Sequence, residues 1–579
     1  MKEIPRRRSI MAERVVVIGA VAAGPRAACR LKRLRPEAEI YLVDKDDLIS
    51  YGGCGIPYYV SGDIPDENEL RKTAFHMLRN EAFFENAKGL HVLTKTLATK
   101  IDREKKVVHV KNLDSGQEDT LPYDKLVLTT GASPFILPLP GRDLDGVFAI
   151  SNLHSAIEIK ERVARGQVEK VVIIGAGPIG LEMAEAFRDL WGLEVTVLEY
   201  FDQPLPRIVD KPMARIVAHH LQEKGVRLVV NARTKEIEGK DGKVVAVVTE
   251  DGRYECDLVL MATGVRPNSQ LAREAGLLVS PLTGGIVVNE RLQTSDPNIY
   301  AGGDCIEVTH LITGKKVVLP LGSLANRHGR IIGTNLAGGT ETFRGAVGAF
   351  VMKCFDLAIA ACGVSYTVAR AEGFDAFFAL HNQTERAHYY PGAEFIFVEI
   401  VADRRDRRVL GFQAVGPMTD GAMARVNALA KLLEFKPRLE DTAYMELAYA
   451  PPFNTALDPI NVVSMVASNL ADGLFKPTTW DEVRERLEKN DPDTIFVDVR
   501  HPKEAEPFVK KYPGRWINVV YDQVRHNLDK IPRDKDVILI CNSSMRSYEA
   551  ARVLYGAGYE RVYVPLGGLN FPRRWGWEF

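Results

Sequence analysis

The chain has 579 residues, more than one hydrophobic core organises, so three or four domains are expected. Apolar residues make up 46% and charged residues 26%, as in ordinary globular proteins. Lys plus Arg number 75 against 76 Asp plus Glu, which removes any electrostatic reason to expect nucleic acid or an anionic membrane as partner.

Seven cysteines are scattered without a CxxC pair, a pattern that fits a reducing, cytoplasmic compartment where thiols are catalytic or buried. No metal centre is expected. No run of 18 apolar residues suggests a membrane span. Residues 1–11 read as an extension. They are basic at Arg6–Arg8 but lack the apolar stretch of a signal peptide, and a solvated tail is the simpler reading.

Residues 13–34, ERVVVIGAVAAGPRAACRLKRL, read as strand, glycine turn and helix, and IYLVDKD follows as a second parallel strand ending at Asp44. Gly19 and Gly24 hold two slots of a GxGxxG turn, but Val21 stands at the middle one. The next segment, ISYGGCGIPYYVSG (49–62), carries Cys54 between a Gly pair and Gly55-Ile56-Pro57. A turn there delivers the thiol to a helix or loop terminus, where N–H groups stabilise a thiolate. With no cysteine between Cys54 and Cys256, it lacks a neighbour for a disulfide. It can hold a mixed disulfide, a persulfide or a sulfenic acid. Cys29, Cys256, Cys354 and Cys362 read as structural. Cys305 is set apart only by its neighbour Asp304.

The same pattern recurs at 169–190, EKVVIIGAGPIGLEMAEAFRDL, where Gly175, Gly177 and Gly180 fill every slot. The first glycine makes the tight turn, the second admits a pyrophosphate to the backbone, and the third lets helix pack on strand. Glu199 ends the following strand, where an acid binds a ribose 2′-OH and repels a 2′-phosphate, so this unit is expected to take NADH. Each unit has a later echo, LVLTTGASP (126–134) and LVLMATGVRPN (258–268), and NIYAGGDCIEV (298–308) places Asp304 after a short strand and a Gly pair.

These tandem units, TG segments and GD motif resemble the FAD-dependent pyridine nucleotide-disulfide oxidoreductases. The resemblance implies FAD contacts from Gly19, Gly24, Asp44, Thr130, Gly131 and Asp304. It also implies that Gly175, Gly177, Gly180, Glu199, Thr263 and Gly264 form the NADH unit. SYGGCGIPYYVSG is similar to the single-cysteine motif of coenzyme A-disulfide reductases and their relatives, which include NADH oxidases, peroxidases and persulfide reductases. The histidine usual in the first turn of the oxidase and peroxidase branch is absent from GAVAAG. AHYYPG (387–392) and ELAYAPPFN (446–454) match two tyrosine motifs of the coenzyme A branch. By that resemblance Tyr390 and Tyr449 reach the partner subunit's cysteine pocket in a homodimer, and Arg30, Arg33 and Ser50 contact coenzyme A.

After NVVSMVASNLADGLFKP (461–477) the chain changes character. TIFVDVR (494–500) reads as strand into turn, and DVILICNSSMRSYEAARVL (536–554) as buried strand, short loop and amphipathic helix. Cys541 at the strand end faces a ring of backbone N–H groups, and Arg546 adds a cation. This layout resembles a single rhodanese domain. The usual loop glycine is replaced by Ser544, which leaves a docking domain with an inert cysteine as the alternative to a sulfur carrier.

The expected fold class is therefore α/β: two Rossmann-like dinucleotide-binding domains (FAD and NADH), an α+β dimerisation domain and a C-terminal α/β rhodanese domain. The expected boundaries are 12–150 with 276–330 for FAD, 151–275 for NADH, 331–467 for dimerisation and 475–579 for the rhodanese-like domain. The expected function is NADH-dependent reduction of persulfides, polysulfides or coenzyme A disulfide through Cys54 in a flavoprotein, with sulfur delivery by the rhodanese-like domain. An NADH oxidase or peroxidase and a redox-sensing interaction protein are the alternatives.

Overall fold

Four consecutive buried residues, Val15–Ile18, define the strand Arg14–Ile18, because a parallel strand covered by helices on both faces has no polar side to alternate with. The computed structural model describes residues 13–579, so the reading of the N-terminal extension lies outside the described residues. Two compact units emerge, one comprising residues up to Tyr200 with Asn231–Ala346, the other Phe201–Val230 with Val347–Phe579.

The first unit contains the duplicated nucleotide-binding pattern. In one copy the strands Ile299–Ala301, Lys125–Leu128, Arg14–Ile18, Glu39–Val43 and His91–Leu93 lie side by side in that order, all parallel. In the other, Glu194–Leu198, Lys170–Ile174, Leu258–Met261 and Val147–Phe148 repeat the arrangement. The duplication extends to features the sequence pattern did not reveal. Each copy carries a three-stranded antiparallel flap, 96–122 and 234–255, and the two TG echoes pair directly as Ala132–Pro134 with Val265–Pro267.

Helix Ala23–Leu34 lies against helix Gly322–Leu336 at a separation that only glycine permits. A Cβ on Gly329 would stand 2.4 Å from the Ala23 carbonyl oxygen, and one on Gly333 2.5 Å from that of Ala27. This close packing holds the second helix firmly against the first, and its first turn lies at the candidate site described below.

The second unit holds an antiparallel sheet ordered Phe350–Cys354, Leu357–Gly363, Val409–Pro417, Phe395–Asp403 and Ala376–Thr384, packed by helices Gly421–Leu433 and Pro459–Ala471. Helix Lys211–Glu223 joins this unit although it falls inside the 151–275 stretch. Its N-cap Asp210 accepts from Tyr366 N, Thr367 N and Gln413 Nε2, which ties the helix to the sheet. The C-terminal segment forms a parallel sheet ordered Lys476–Thr478, Val562–Pro565, Asp536–Ile540, Thr494–Asp498 and Trp516–Asn518. Among the described residues no helix is long and apolar enough to cross a membrane.

Ser544 is the N-cap of helix Met545–Gly556 and adopts φ +68°, ψ −11°, a left-handed conformation that explains the glycine usual at this place. Its hydroxyl donates to the Pro565 carbonyl at 2.6 Å, which offsets the backbone cost. The substitution therefore preserves the turn. Ser544→Gly should change stability by no more than about 1 kcal/mol, because the lost hydrogen bond and the relieved left-handed strain are of similar size. Ser544→Ala keeps the strain and loses the bond, so it should cost about 1 kcal/mol or more. Urea unfolding of the three full-length proteins would read this order, and an Ala variant as stable as wild type would contradict it.

Candidate active site

The two glycine turns differ in a way that shows what each position is for. Gly19 and Gly175 have φ +106° and +111°, and a Cβ on either would fall 2.1 or 2.5 Å from a carbonyl oxygen of Thr129 or Ala262. A Cβ on Gly24 or Gly180 would sit 1.9 or 2.0 Å from the Gly19 or Gly175 carbonyl oxygen. These four glycines are demanded by the chain itself. Gly177, Gly131 and Gly264 differ, because a Cβ on each meets nothing within 4 Å, although the φ of +67° at Gly131 and +99° at Gly264 still favours glycine there. Their bareness leaves backbone open to an incoming group. Gly177 is the N-cap of helix Pro178–Asp189, whose first N–H groups attract a pyrophosphate.

A cavity of about 500 Å³ opens beside the first turn, lined among others by Gly19, Asp44, Thr96, Thr130 and Asn268. Asp44 accepts from Ala20 N at 2.6 Å and Asp46 N at 2.9 Å, which fixes its carboxylate at the cavity wall while burial raises its pKa. Thr130 Oγ1 donates to Asn268 O at 2.6 Å. In the second copy Glu199 plays the matching part, accepting from Ala176 N at 2.7 Å. Asp304 has its carboxyl pushed up to about 6 by burial alone, and among the described residues no group donates to it. A half-buried carboxyl to which no described group donates, a cavity of nucleotide size and an open backbone cradle fit a dinucleotide flavin.

Cys54 lies in a helical turn, Gly53–Gly55, that runs straight into helix Ile56–Ser61. Gly55 admits that turn against Leu70, where a Cβ would meet Leu70 Cδ2 at 2.4 Å. The Cys54 sulfur stands 3.6 Å from the place a Cβ on Gly322 would occupy, at the first residue of the 15-residue helix Gly322–Leu336. Two opposing influences therefore act on this thiol. Although Cys54 is an exposed residue, partial desolvation of its sulfur, then Glu182 and Asp304, push its pKa up. The N-terminal N–H groups of the helix favour the thiolate. Glu182, on the helix after the second glycine turn, has its carboxyl raised to about 7 by burial, and Tyr58 is pushed up to about 12 by burial with Glu182 and Cys54 beside it. Sequence reasoning missed Glu182, although two acids three residues apart on a mostly apolar helix, Glu182 and Glu185, were its signal.

Of the expected coenzyme A contacts, Arg30 is half-buried and donates to Thr334 Oγ1 at 3.1 Å, while Arg33 is exposed. Ser50 is 4% exposed, has φ +53°, and its N–H donates to Ala20 O. It offers a ligand little surface. Cys305 is fully buried, with its sulfur 3.4 Å from Gly302 O and its pKa raised by burial.

In the second unit Tyr449 OH lies 3.4 Å from the hydroxyl of Tyr389, not Tyr390. All three rings are exposed. The two tyrosine segments are clamped by Arg425, a buried residue whose guanidinium binds Asp458 Oδ2 at 3.0 Å, Asn454 Oδ1 at 2.9 Å and Glu385 O at 2.9 Å. One side chain thus holds the bases of both loops. Nothing in the local sequence announces that role.

Cys541 is 1% exposed at the end of strand Asp536–Ile540. The next residue, Asn542, is held by its side chain, with Nδ2 donating to Glu504 at 2.9 Å and Oδ1 3.4 Å from Arg500 Nη1. Arg500 is itself buried in a pair with Asp498, 2.6 Å away, so the DVR segment anchors the cysteine loop. Arg546 is half-buried in the first turn of the following helix, close enough to Glu504 to lower that acid's pKa.

Residues 13–329 match the family model described as pyridine nucleotide-disulphide oxidoreductase, 350–459 match its dimerisation domain and 479–570 a rhodanese-like domain. An NAD(P)H sulfur oxidoreductase (CoA-dependent) of Pyrococcus abyssi is 38% identical over 78% of this chain and 97% of its own length. An NADH oxidase of Methanocaldococcus jannaschii is 36% identical over 78% and 98%. The solved structure of a NAD-dependent persulfide reductase from A. fulgidus superposes with a TM-score of 0.90 at 40% identity, covering 96% of this chain and 99% of that one. The chain belongs to the pyridine nucleotide-disulphide oxidoreductase family, with a dimerisation domain and a rhodanese-like domain following in the same polypeptide.

Proposed function

We propose that this protein is an NADH-dependent flavoenzyme that reduces persulfides, polysulfides or coenzyme A disulfide at Cys54, with Cys541 handling sulfur on the rhodanese-like domain. The observation that carries this reading is the isolated thiol Cys54 at the N-terminus of helix Gly322–Leu336, in a chain that also bears a second strand-end cysteine in its own loop. The oxidase alternative gives the rhodanese-like domain nothing to do.

FAD would be held by the first glycine turn, Asp44, Thr130 and Asp304, and supplies electron relay from the nicotinamide to sulfur. The chain's own groups do the rest. The Cys54 thiolate attacks the sulfane sulfur of R–S–SH, forming a Cys54 persulfide as the S–S bond of the substrate breaks and RS⁻ leaves with the electron pair. Two electrons from NADH then cleave that persulfide, returning the Cys54 thiolate and releasing HS⁻. Glu182, neutral below about pH 7, is a proton reservoir beside the sulfur. Tyr389, Tyr390 and Tyr449 offer O–H donors to a departing thiolate in a homodimer. Arg30, Arg33 and Ser50 remain the proposed coenzyme A contacts, with Ser50 dependent on local opening.

Cys54→Ser should retain FAD and lose turnover on every sulfur substrate. Cys541→Ser should retain reduction of small persulfides and lose sulfur transfer from thiosulfate. Flavin absorbance, NADH consumption and sulfide release would check both, and persulfide reduction surviving in the Cys54 variant would overturn the assignment. Glu199 opposes a 2′-phosphate by like charge. NADH should therefore be preferred over NADPH by tenfold or more in kcat/KM, an effect of about 1.4 kcal/mol, and Glu199→Ala should narrow that preference.

A further inference from the structure

Asn382 sits within the strand Ala376–Thr384, 1% exposed, in the antiparallel sheet of the second unit. An amide buried there costs free energy unless both ends are bonded. Its Nδ2 donates to Gly567 O at 2.5 Å, and its Oδ1 accepts from Asn570 Nδ2 at 2.8 Å. Both partners belong to the turn after strand Val562–Pro565 of the rhodanese-like domain. Gly567 makes the approach possible, because a Cβ there would stand 3.0 Å from Leu380 Cβ and 2.4 Å from the Phe571 ring.

The same turn is stitched to the cysteine loop. Leu569 N donates to Cys541 O at 2.9 Å and Asn570 N to Asn542 O at 3.1 Å. Gly568 lies so close beneath that a Cβ would be 2.5 Å from the Asn542 carbonyl. A trans peptide points its C=O and N–H in opposite directions. Tying back the Cys541 and Asn542 carbonyls therefore turns the N–H groups of Asn542 and Ser543 away from the turn. Among the described residues neither N–H donates to a protein group. They are free donors for an anion in the loop.

We propose that Asn382 is a positioning residue for sulfur loading at Cys541, setting the loop's N–H groups through the 567–570 turn, so that the oxidoreductase sheet governs the carrier loop. The inference rests on the sulfur-carrier reading above. In the loading step the Cys541 thiolate attacks the outer sulfur of thiosulfate, a new S–S bond forms, and sulfite leaves with the electron pair of the bond that breaks. The two N–H groups stabilise the anionic sulfur throughout.

The test uses the full-length flavoprotein as wild type, Asn382→Ala and the milder Asn570→Ala, which removes only one of the two amide bonds. Sulfur on Cys541 after thiosulfate treatment is followed by peptide mass, thiolate formation by the pH dependence of Cys541 alkylation, and the flavin site by NADH-driven reduction of a small persulfide. Loading should slow about tenfold in Asn382→Ala, the scale of one lost buried hydrogen bond, and less in Asn570→Ala. The alkylation midpoint should move to higher pH in both, with persulfide reduction at Cys54 unchanged. Unchanged loading and midpoint in Asn382→Ala, or equal loss of loading and Cys54 turnover in both variants, would overturn the proposal. If wild type itself takes no sulfur at Cys541, the carrier reading fails, while the alkylation midpoint still decides whether Asn382 sets the loop.

Discussion

Free N–H groups at the start of a helix are the interaction on which this molecule's chemistry depends. The two glycine turns lead into helices Ala23–Leu34 and Pro178–Asp189, whose ends suit pyrophosphates. Cys54 is placed against the first residue of helix Gly322–Leu336, and Cys541 lies one loop before helix Met545–Gly556. Phosphate and thiolate are both anions with poor partners inside a protein, and the same unsatisfied donors serve each of them. Much of the remaining architecture serves to hold those four helix starts in place, from the glycine contacts at Gly329 and Gly333 to the Asp498–Arg500 pair beneath the cysteine loop.

At Cys54 this stabilisation works against a local penalty. Desolvation of the sulfur, then the half-buried carboxyls of Glu182 and Asp304, raise the thiol, and partial burial in turn keeps those carboxyls protonated to higher pH than usual. The balance suits a thiol that must take up a sulfur, lose it and regain a proton within one cycle. Cys541 stands in a different setting, its loop neighbour Asn542 bound to Glu504 and Arg500, with Arg500 itself paired to Asp498. That contrast favours giving the reductive chemistry to the first cysteine and sulfur handling to the second.

The sequence made the duplicated fold legible because its constraints are local. Gly19, Gly24, Gly175 and Gly180 recur at fixed spacing, since a Cβ at each would strike a backbone only a short way along the chain or on the adjacent strand. Asp44 and Glu199 end their strands for the same reason, each accepting from the turn that precedes it. What stayed hidden depends on residues brought together from afar. Arg425 gathers Glu385, Asn454 and Asp458 into one clamp, and Asn382 bonds a turn nearly 190 residues away. Ser544 looked like a lesion in the cysteine loop because a side-chain bond to Pro565 cannot be read from a missing glycine.

The central claim is that electrons from NADH end on sulfur, and the balance of products tests it most directly. With the purified flavoprotein, NADH and a small persulfide under air, NADH oxidation, sulfide release and oxygen uptake are measured together. One sulfide should appear for each NADH consumed, with oxygen uptake a minor fraction of the total. Oxygen uptake equal to NADH consumption, with no sulfide formed, would contradict the claim and leave an NADH oxidase.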